Sequence, residues 1–524
     1  MAEEANCFTS LYALLMLLCC ATCSYGLGTF GFSIHHRFSD PVERIMAVDD
    51  LPEKGSFSYY SALAHRDRLF HVRVRGRGRG LVTETDQTPL TFEYGNDTYR
   101  LDFLGFLYYA NVSLGTPALS YLVALDTGSD LFWLPCDCGS FCINGLNLSS
   151  GQVIEFNIYS PSASSTSSKV TCKSSLCENH RLCISAADSC PYQVRYISEG
   201  TSSTGTLVED VLHLITNDNK PQPVNPRVTF GCGRIQTGSF LRGAAPNGLF
   251  GLGITKQSVP SILASQGLIP NSFSMCFATD GLGRISFGDQ GSSGQGETPF
   301  SLGQSHPTYN VTITKIIVGG LTADVEFNAI FDSGTSFTYL NDPAYTQISE
   351  SFNNLTQEKR FPTESFELPF DYCYVLSSNQ SNISYPDVNL TMKGGDTFFV
   401  NKPIVIVSVK DINLYCLAVV KSDDVSIIGQ NFMTGYKVVF NRDKNVLGWT
   451  PSNCYDESST GILPVSPATS PAVPPAIAVN PEARTGNDGN SPISSAPTAG
   501  SHSPKLRPFT FALVMLPISV LAAF

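Results

Sequence analysis

Charge is scarce in this sequence: only 15% of its 524 residues are Asp, Glu, Lys or Arg, too few for a coiled coil or a charge-laced helical bundle. The 33 basic side chains are outnumbered by 45 acidic ones, the net charge is −12, and no long basic stretch occurs in the body. Nucleic acid is therefore not an expected partner. The eight histidines are scattered without metal-ligand spacing, no HExxH motif occurs, and no Gly-x-Ser-x-Gly elbow stands between a strand and a helix. The glycines of 281–284 lack the lysine and helix of a phosphate cradle. No metal and no cofactor is expected.

Long apolar runs are confined to the two ends. Leu11 to Cys20 is a run of about ten, too short to span a bilayer and followed by Ala21, Thr22 and Ser24. Residues 1–24 read as a secretory signal, with a buried helix as the competing reading. Phe509 to Phe524 is apolar and closes the sequence; Lys505, Arg507 and small residues such as Ser495, Ala496 and Gly500 precede it. That order matches a glycosylphosphatidylinositol attachment signal over 501–524, with a tail-anchored helix as the alternative. Residues 456–500 are rich in Pro, Ser and Ala and bury too little to fold, which suits a stalk. The expected location is the outer face of the plasma membrane, held by the lipid, with release to the extracellular space as an option.

Cysteine agrees with export. Four of sixteen go with the signal, and twelve remain: Cys136, Cys138, Cys142, Cys172, Cys177, Cys183, Cys190, Cys232, Cys276, Cys373, Cys416 and Cys454. An even number suits six disulfides in an oxidising compartment, with connectivity open. Sequons stand at Asn96, Asn111, Asn147, Asn310, Asn354, Asn379, Asn382 and Asn389. Residues 25–102 differ in character, since Arg66, Arg68, Arg73, Arg75, Arg77 and Arg79 face a single acidic neighbour, Asp67. This segment reads as a propeptide whose guanidinium groups pair with an acidic cleft, or else as a solvated linker.

The body, with 43 Gly and 32 Pro in the chain, is mostly strand. Short β-type runs are expected at 107–114, 121–125, 227–230, 310–318, 329–331, 404–409, 415–420 and 436–440. Helices are expected after Ser258 and after Asp342-Pro343, where Ala344, Ile348 and Phe352 recur every four residues. The body also repeats itself. Leu125-Asp126-Thr127-Gly128-Ser129-Asp130-Leu131-Phe132-Trp133-Leu134 aligns without gaps to Phe331-Asp332-Ser333-Gly334-Thr335-Ser336-Phe337-Thr338-Tyr339-Leu340. About a hundred residues after each comes a hydrophobic-hydrophobic-Gly element, Leu249-Phe250-Gly251 and Ile427-Ile428-Gly429. One Asp-[Ser/Thr]-Gly triplet means little; two in the same order imply two related lobes.

A carboxylate at a strand end, followed by a small hydroxyl residue and Gly, sits in a tight turn whose N–H groups and hydroxyls bond its oxygens. Two such turns meeting across a pseudo-twofold axis bring their carboxyls too close for both to ionise, and the pair holds one proton. The neutral member polarises a carbonyl while the charged one takes a proton from water.

The tracts Asp126-Thr127-Gly128-Ser129 and Asp332-Ser333-Gly334-Thr335 resemble the catalytic signatures of pepsin-like aspartic proteases. With twelve body cysteines and Leu131-Phe132-Trp133-Leu134-Pro135-Cys136, the chain is similar to their plant, nepenthesin-type branch. The resemblance spans about Leu104 to Cys454 and implies a mostly β, bilobal fold, with lobes at 103–275 and 276–455 and a cleft between them. It implies Asp126 and Asp332 as catalytic carboxylates, oriented by Thr127, Gly128, Ser129, Ser333, Gly334 and Thr335. Tyr196 corresponds to the flap tyrosine and Trp133 to the indole supporting it; Ile197-Ser198-Glu199-Gly200 departs from the family's Gly-Asp-Gly at the flap tip. The implied activity is acid-optimal endopeptidase action on polypeptides by a monomer that also binds its own propeptide. A non-catalytic relative of glycosidase-inhibitor type on the same fold is the alternative.

Overall fold

The computed structural model describes residues 29–37, scattered positions up to 63, the hairpin strands Leu90–Tyr94 and Asp97–Leu101, and residues 107–454 apart from short internal stretches. The proposed signal, Arg66 to Arg79, the stalk and the lipid-attachment tail lie outside the described residues. Among the described residues, no helix is long and apolar enough to cross a membrane.

Strands dominate. The largest sheet joins Tyr108–Leu114, Leu119–Asp126 and Ser202–Thr216 of the first half to Ser272–Phe277, Leu282–Phe287, Tyr436–Asn441 and Val446–Pro451 of the second. A seven-stranded sheet carries Asn310–Val318, Leu321–Phe331 and Ser426–Ile428, and a four-stranded sheet ends at the edge strand Ile404–Val409. Leu119–Asp126 is buried over five successive residues, as a continuous apolar run between covered faces requires. The expected strand 415–420 divides into Ile412–Leu417 and Val419–Lys421, because the chain changes sheets at Ala418.

Both expected helices form. Val259–Ser265 follows Ser258, and Ala344–Leu355 buries Ala344, Ile348 and Phe352 on one stripe. The sequence repeat is also a repeat of topology. Leu249–Gly251 runs parallel to the strand ending at Asp126 and antiparallel to Trp133. Ser426–Ile428 likewise runs parallel to the strand ending at Phe331 and antiparallel to Tyr339. Gly251 and Gly429 are needed where these strands pass the aspartate loops: a Cβ would stand 2.2 Å from the Asp130 carbonyl oxygen and 2.1 Å from that of Phe337.

A strand that the composition did not announce lies at Phe30–His36. It pairs with Tyr108–Leu114 on one side and Leu282–Phe287 on the other, burying Phe30 and Ile34 completely. The six disulfides are Cys136–Cys232, Cys138–Cys142, Cys172–Cys183, Cys177–Cys190, Cys276–Cys454 and Cys373–Cys416. Sulfurs of Cys172, Cys177 and Cys183 gather within 4.8 Å, but each is already committed to a disulfide.

The sequons divide by burial. Asn111 and Asn354 are exposed. Asn310 and Asn389 are corrected to structural residues: they are 4% and 9% exposed, and the Asn389 amide donates to Asp387 Oδ2 at 2.6 Å, leaving no room for a glycan. Asn147 ends the short strand Gly145–Asn147, and Asn96, Asn379 and Asn382 lie outside the described residues.

Candidate active site

Each signature forms the turn that its residue types dictate. The strand Leu119–Asp126 delivers Asp126, and the Gly128 amide returns to its Oδ1 at 2.9 Å. The second turn copies this, with the Gly334 amide 2.8 Å from Asp332 Oδ1. A Cβ at either glycine would meet that same carboxylate oxygen at 3.1 and 3.0 Å, so the absent side chain keeps the N–H approach open. Thr335 Oγ1 donates to Asp332 Oδ2 at 2.6 Å, and both oxygens of Asp332 are thereby held. Asp332 is also fixed through its backbone, where its amide donates to the Ile428 carbonyl at 3.1 Å.

The two turns face each other. Thr127 Oγ1, one residue past Asp126, lies 3.4 Å from Asp332 Oδ1 and 3.4 Å from Ser333 Oγ. Thr127, Ser333 and Thr335 are all buried, whereas the two aspartates are only half-buried and remain open to a substrate. Buried hydroxyls below and accessible carboxylates above make a rigid floor under a polar centre.

The flap residues also meet. Pro191–Arg195 pairs with Ser202–Thr216 as a hairpin, and the Tyr196 amide donates to the Thr201 carbonyl at 2.8 Å. Trp133, fully buried, donates from Nε1 to the Tyr196 hydroxyl at 2.7 Å. Burial, then the nearby Asp126 charge, push the Tyr196 phenol well above its ordinary pKa, so it stays a neutral donor. Its hydroxyl also faces Ser129. Ile197, Ser198 and Glu199 at the flap tip lie outside the described residues.

Sequence reasoning missed Phe240, whose ring stands edge-on to Trp133 at 4.8 Å and to Tyr196 at 5.0 Å. It sits in a short 3-10 turn, Gly238–Arg242, whose periodicity gives no signal. Also missed were Tyr59, Tyr60 and Leu63, which line a cavity of about 160 Å³ together with Ser336 and Phe337 of the second turn.

Comparison with known proteins follows the same residues. Two family models match, described as xylanase inhibitor N-terminal over residues 108–289 and xylanase inhibitor C-terminal over residues 308–451. The chain is 56% identical over 492 residues to aspartyl protease family protein 1 of Arabidopsis thaliana, covering 94% of each chain. It is 36% identical to aspartic proteinase-like protein 1 of the same plant, covering 86% of each. Among solved structures, edgp superposes with a TM-score of 0.52 at 19% identity, over 67% of this chain and 93% of that one, and shares the fold. Identity at the level of the first relative, over nearly the full length of both chains, places the protein among the pepsin-like A1 aspartic proteases of plants, and it is an aspartic endopeptidase.

Proposed function

We propose that Asp126 and Asp332 hold one proton between them and use it to drive water directly onto a peptide carbonyl. The observation that carries this reading is the approach of the two turns, with the Thr127 hydroxyl 3.4 Å from Asp332 Oδ1. Carboxyl groups so placed cannot both ionise, and activity belongs on the acid side of neutrality where one proton is retained. The neutral carboxyl donates to the carbonyl oxygen as the ionised one removes a proton from water, and the carbon becomes tetrahedral. A proton then passes to the departing nitrogen, and the C–N bond breaks. Thr335 and the glycine amides keep the carboxylates aimed throughout, and Tyr196, held by Trp133, closes over the substrate.

A purely binding relative has no need of a complete carboxylate cradle in each half, and both are complete here. The test is cleavage of a denatured protein at acidic pH by the processed enzyme, repeated with Asp126→Asn and with a statine-type inhibitor. Loss of cleavage in both is expected, by a factor of about 10² to 10⁴ or more for the variant. Cleavage that persists in Asp126→Asn removes the dyad, and a parent inert at every pH favours the binder.

The reading extends to the cell. Residues 1–24 direct export, 25–102 act as a propeptide, 456–500 form the stalk, and 501–524 are exchanged for a lipid at the outer face of the plasma membrane. Six disulfides fit an oxidising route, and Asn111 and Asn354 are placed to carry glycans. The enzyme acts as a monomer.

A further inference from the structure

The segment around Tyr60 is held along the second half of the molecule in the manner of a bound peptide. Ser56 forms a parallel bridge with Ser408 on Ile404–Val409, the outermost strand of the four-stranded sheet. The Tyr59 amide donates to Ser56 Oγ at 3.1 Å and the Tyr60 amide to the Ser56 carbonyl at 3.3 Å, a turn that aims both rings inward. Tyr60 packs against Phe337 at 6.3 Å between ring centroids and against Phe370 at 6.5 Å, while those two rings meet edge-on at 4.9 Å. Phe337 and Phe370 are buried, as is Ile404 in the adjoining cavity wall.

This hollow adjoins the aspartate site through the chain itself. Phe337 follows Asp332 within the same turn, and Ser336 lines the cavity. The Gln430 and Asn431 amides bond the Thr335 and Ser336 carbonyls at 2.8 and 3.1 Å and brace that wall. Beside the Tyr60 ring some 160 Å³ stays unfilled, against about 150 Å³ for an apolar cavity that takes up benzene. An exposed sheet edge supplies main-chain bonding to an extended chain, and the pocket beside it supplies side-chain choice.

Resting on the hydrolase reading above, we infer that Phe337, Phe370 and Ile404 form a side-chain pocket selecting an aromatic residue of the substrate polypeptide, at a fixed offset from the cut bond on the Asp332 side, and that Tyr60 fills it as an internal stand-in. Removal of the propeptide vacates the pocket. Phe337, Phe370 and Ile404 are then specificity-determining residues and take no part in the proton transfers.

The test uses processed enzyme and a peptide library to locate the offset, then a pair of peptides differing there only by aromatic against alanine. The expected kcat/KM ratio is about tenfold or more in favour of the aromatic peptide. It falls toward one in Phe370→Ala, which empties the pocket, and in Ile404→Trp, which fills it. A peptide spanning residues 52–65 competes with the aromatic substrate, and its Tyr60→Ala form competes about tenfold less well. Cleavage without aromatic preference beyond the two residues flanking the cut, or a preference unchanged in both variants, overturns the pocket and leaves the hydrolase intact. Absence of cleavage from every peptide sinks the hydrolase reading and the pocket with it.

Discussion

At the scale of single residues, the hydroxyls beside the carboxylates carry the sharpest expectations. Thr335 gives Asp332 Oδ2 its hydrogen bond, and Val keeps its shape without the donor. Losing a bond to a charged group costs about 1.5–3 kcal/mol, so Thr335→Val should lower kcat/KM roughly 10- to 100-fold. Thr335→Ser should restore most of the loss, and equal loss in both variants would show that packing, not the bond, matters there. Asp210 tests a different property. Burial by itself would raise its carboxyl, but hydroxyls of Ser164, Thr166 and Tyr159 and the Val211 amide together hold it below the usual value. A group with a depressed folded pKa contributes stability that is present above its unfolded value and is lost as pH falls through the folded one. Asp210→Asn should therefore lower the melting temperature at pH 5–7, with a deficit of about 1–3 kcal/mol that narrows below about pH 4. Melting curves across that range would refute the assignment if the gap stayed constant.

At the scale of elements, the two aspartate turns depend on the short strands that pass behind them. Gly429 has no room for a methyl group, since its Cβ would lie 2.1 Å from the Phe337 carbonyl oxygen, and the preceding residue, Ile428, bonds the Asp332 amide. Gly429→Ala should displace the turn while the sheets persist, and a shift of about 1 Å at a reacting group costs about 10²-fold. Circular dichroism like that of the parent, with kcat/KM reduced to that extent, is the expected pair of results; full activity would show that the loop yields freely. The equivalence of Gly251 and Gly429 was legible in the sequence because the repeat preserves order and spacing. The strands Phe30–His36 and Ser202–Thr216 were not. The first lies in a segment distinguished mainly by its downstream arginines, and the second opens with Ser and Thr whose burial is decided by neighbours far along the chain.

At the scale of the whole molecule, the proposed lipid anchor concerns residues after Cys454 and is tested apart from the fold. A phospholipase C specific for phosphatidylinositol should release the full-length protein from membranes into the aqueous phase, still active. Retention after treatment would favour a spanning tail. The halves of the body are joined more intimately than two repeats in tandem suggest. The Tyr309 hydroxyl donates to the Leu252 carbonyl at 2.7 Å, and buried Arg442 donates to the Gly253 carbonyl at 2.9 Å.

The sequence by itself determined the chemistry: two copies of a strand-end aspartate with its Gly and hydroxyl partners, because those contacts are made within three residues of each carboxylate. It also determined the number of body cysteines and both helices, since helical periodicity is local. Tertiary structure alone decided which cysteines pair, which sequons are buried, where Phe240 braces the flap and how Tyr60 comes to rest on Phe337 and Phe370. These depend on contacts between residues tens to hundreds of positions apart, and such contacts exist only once the chain has closed on itself.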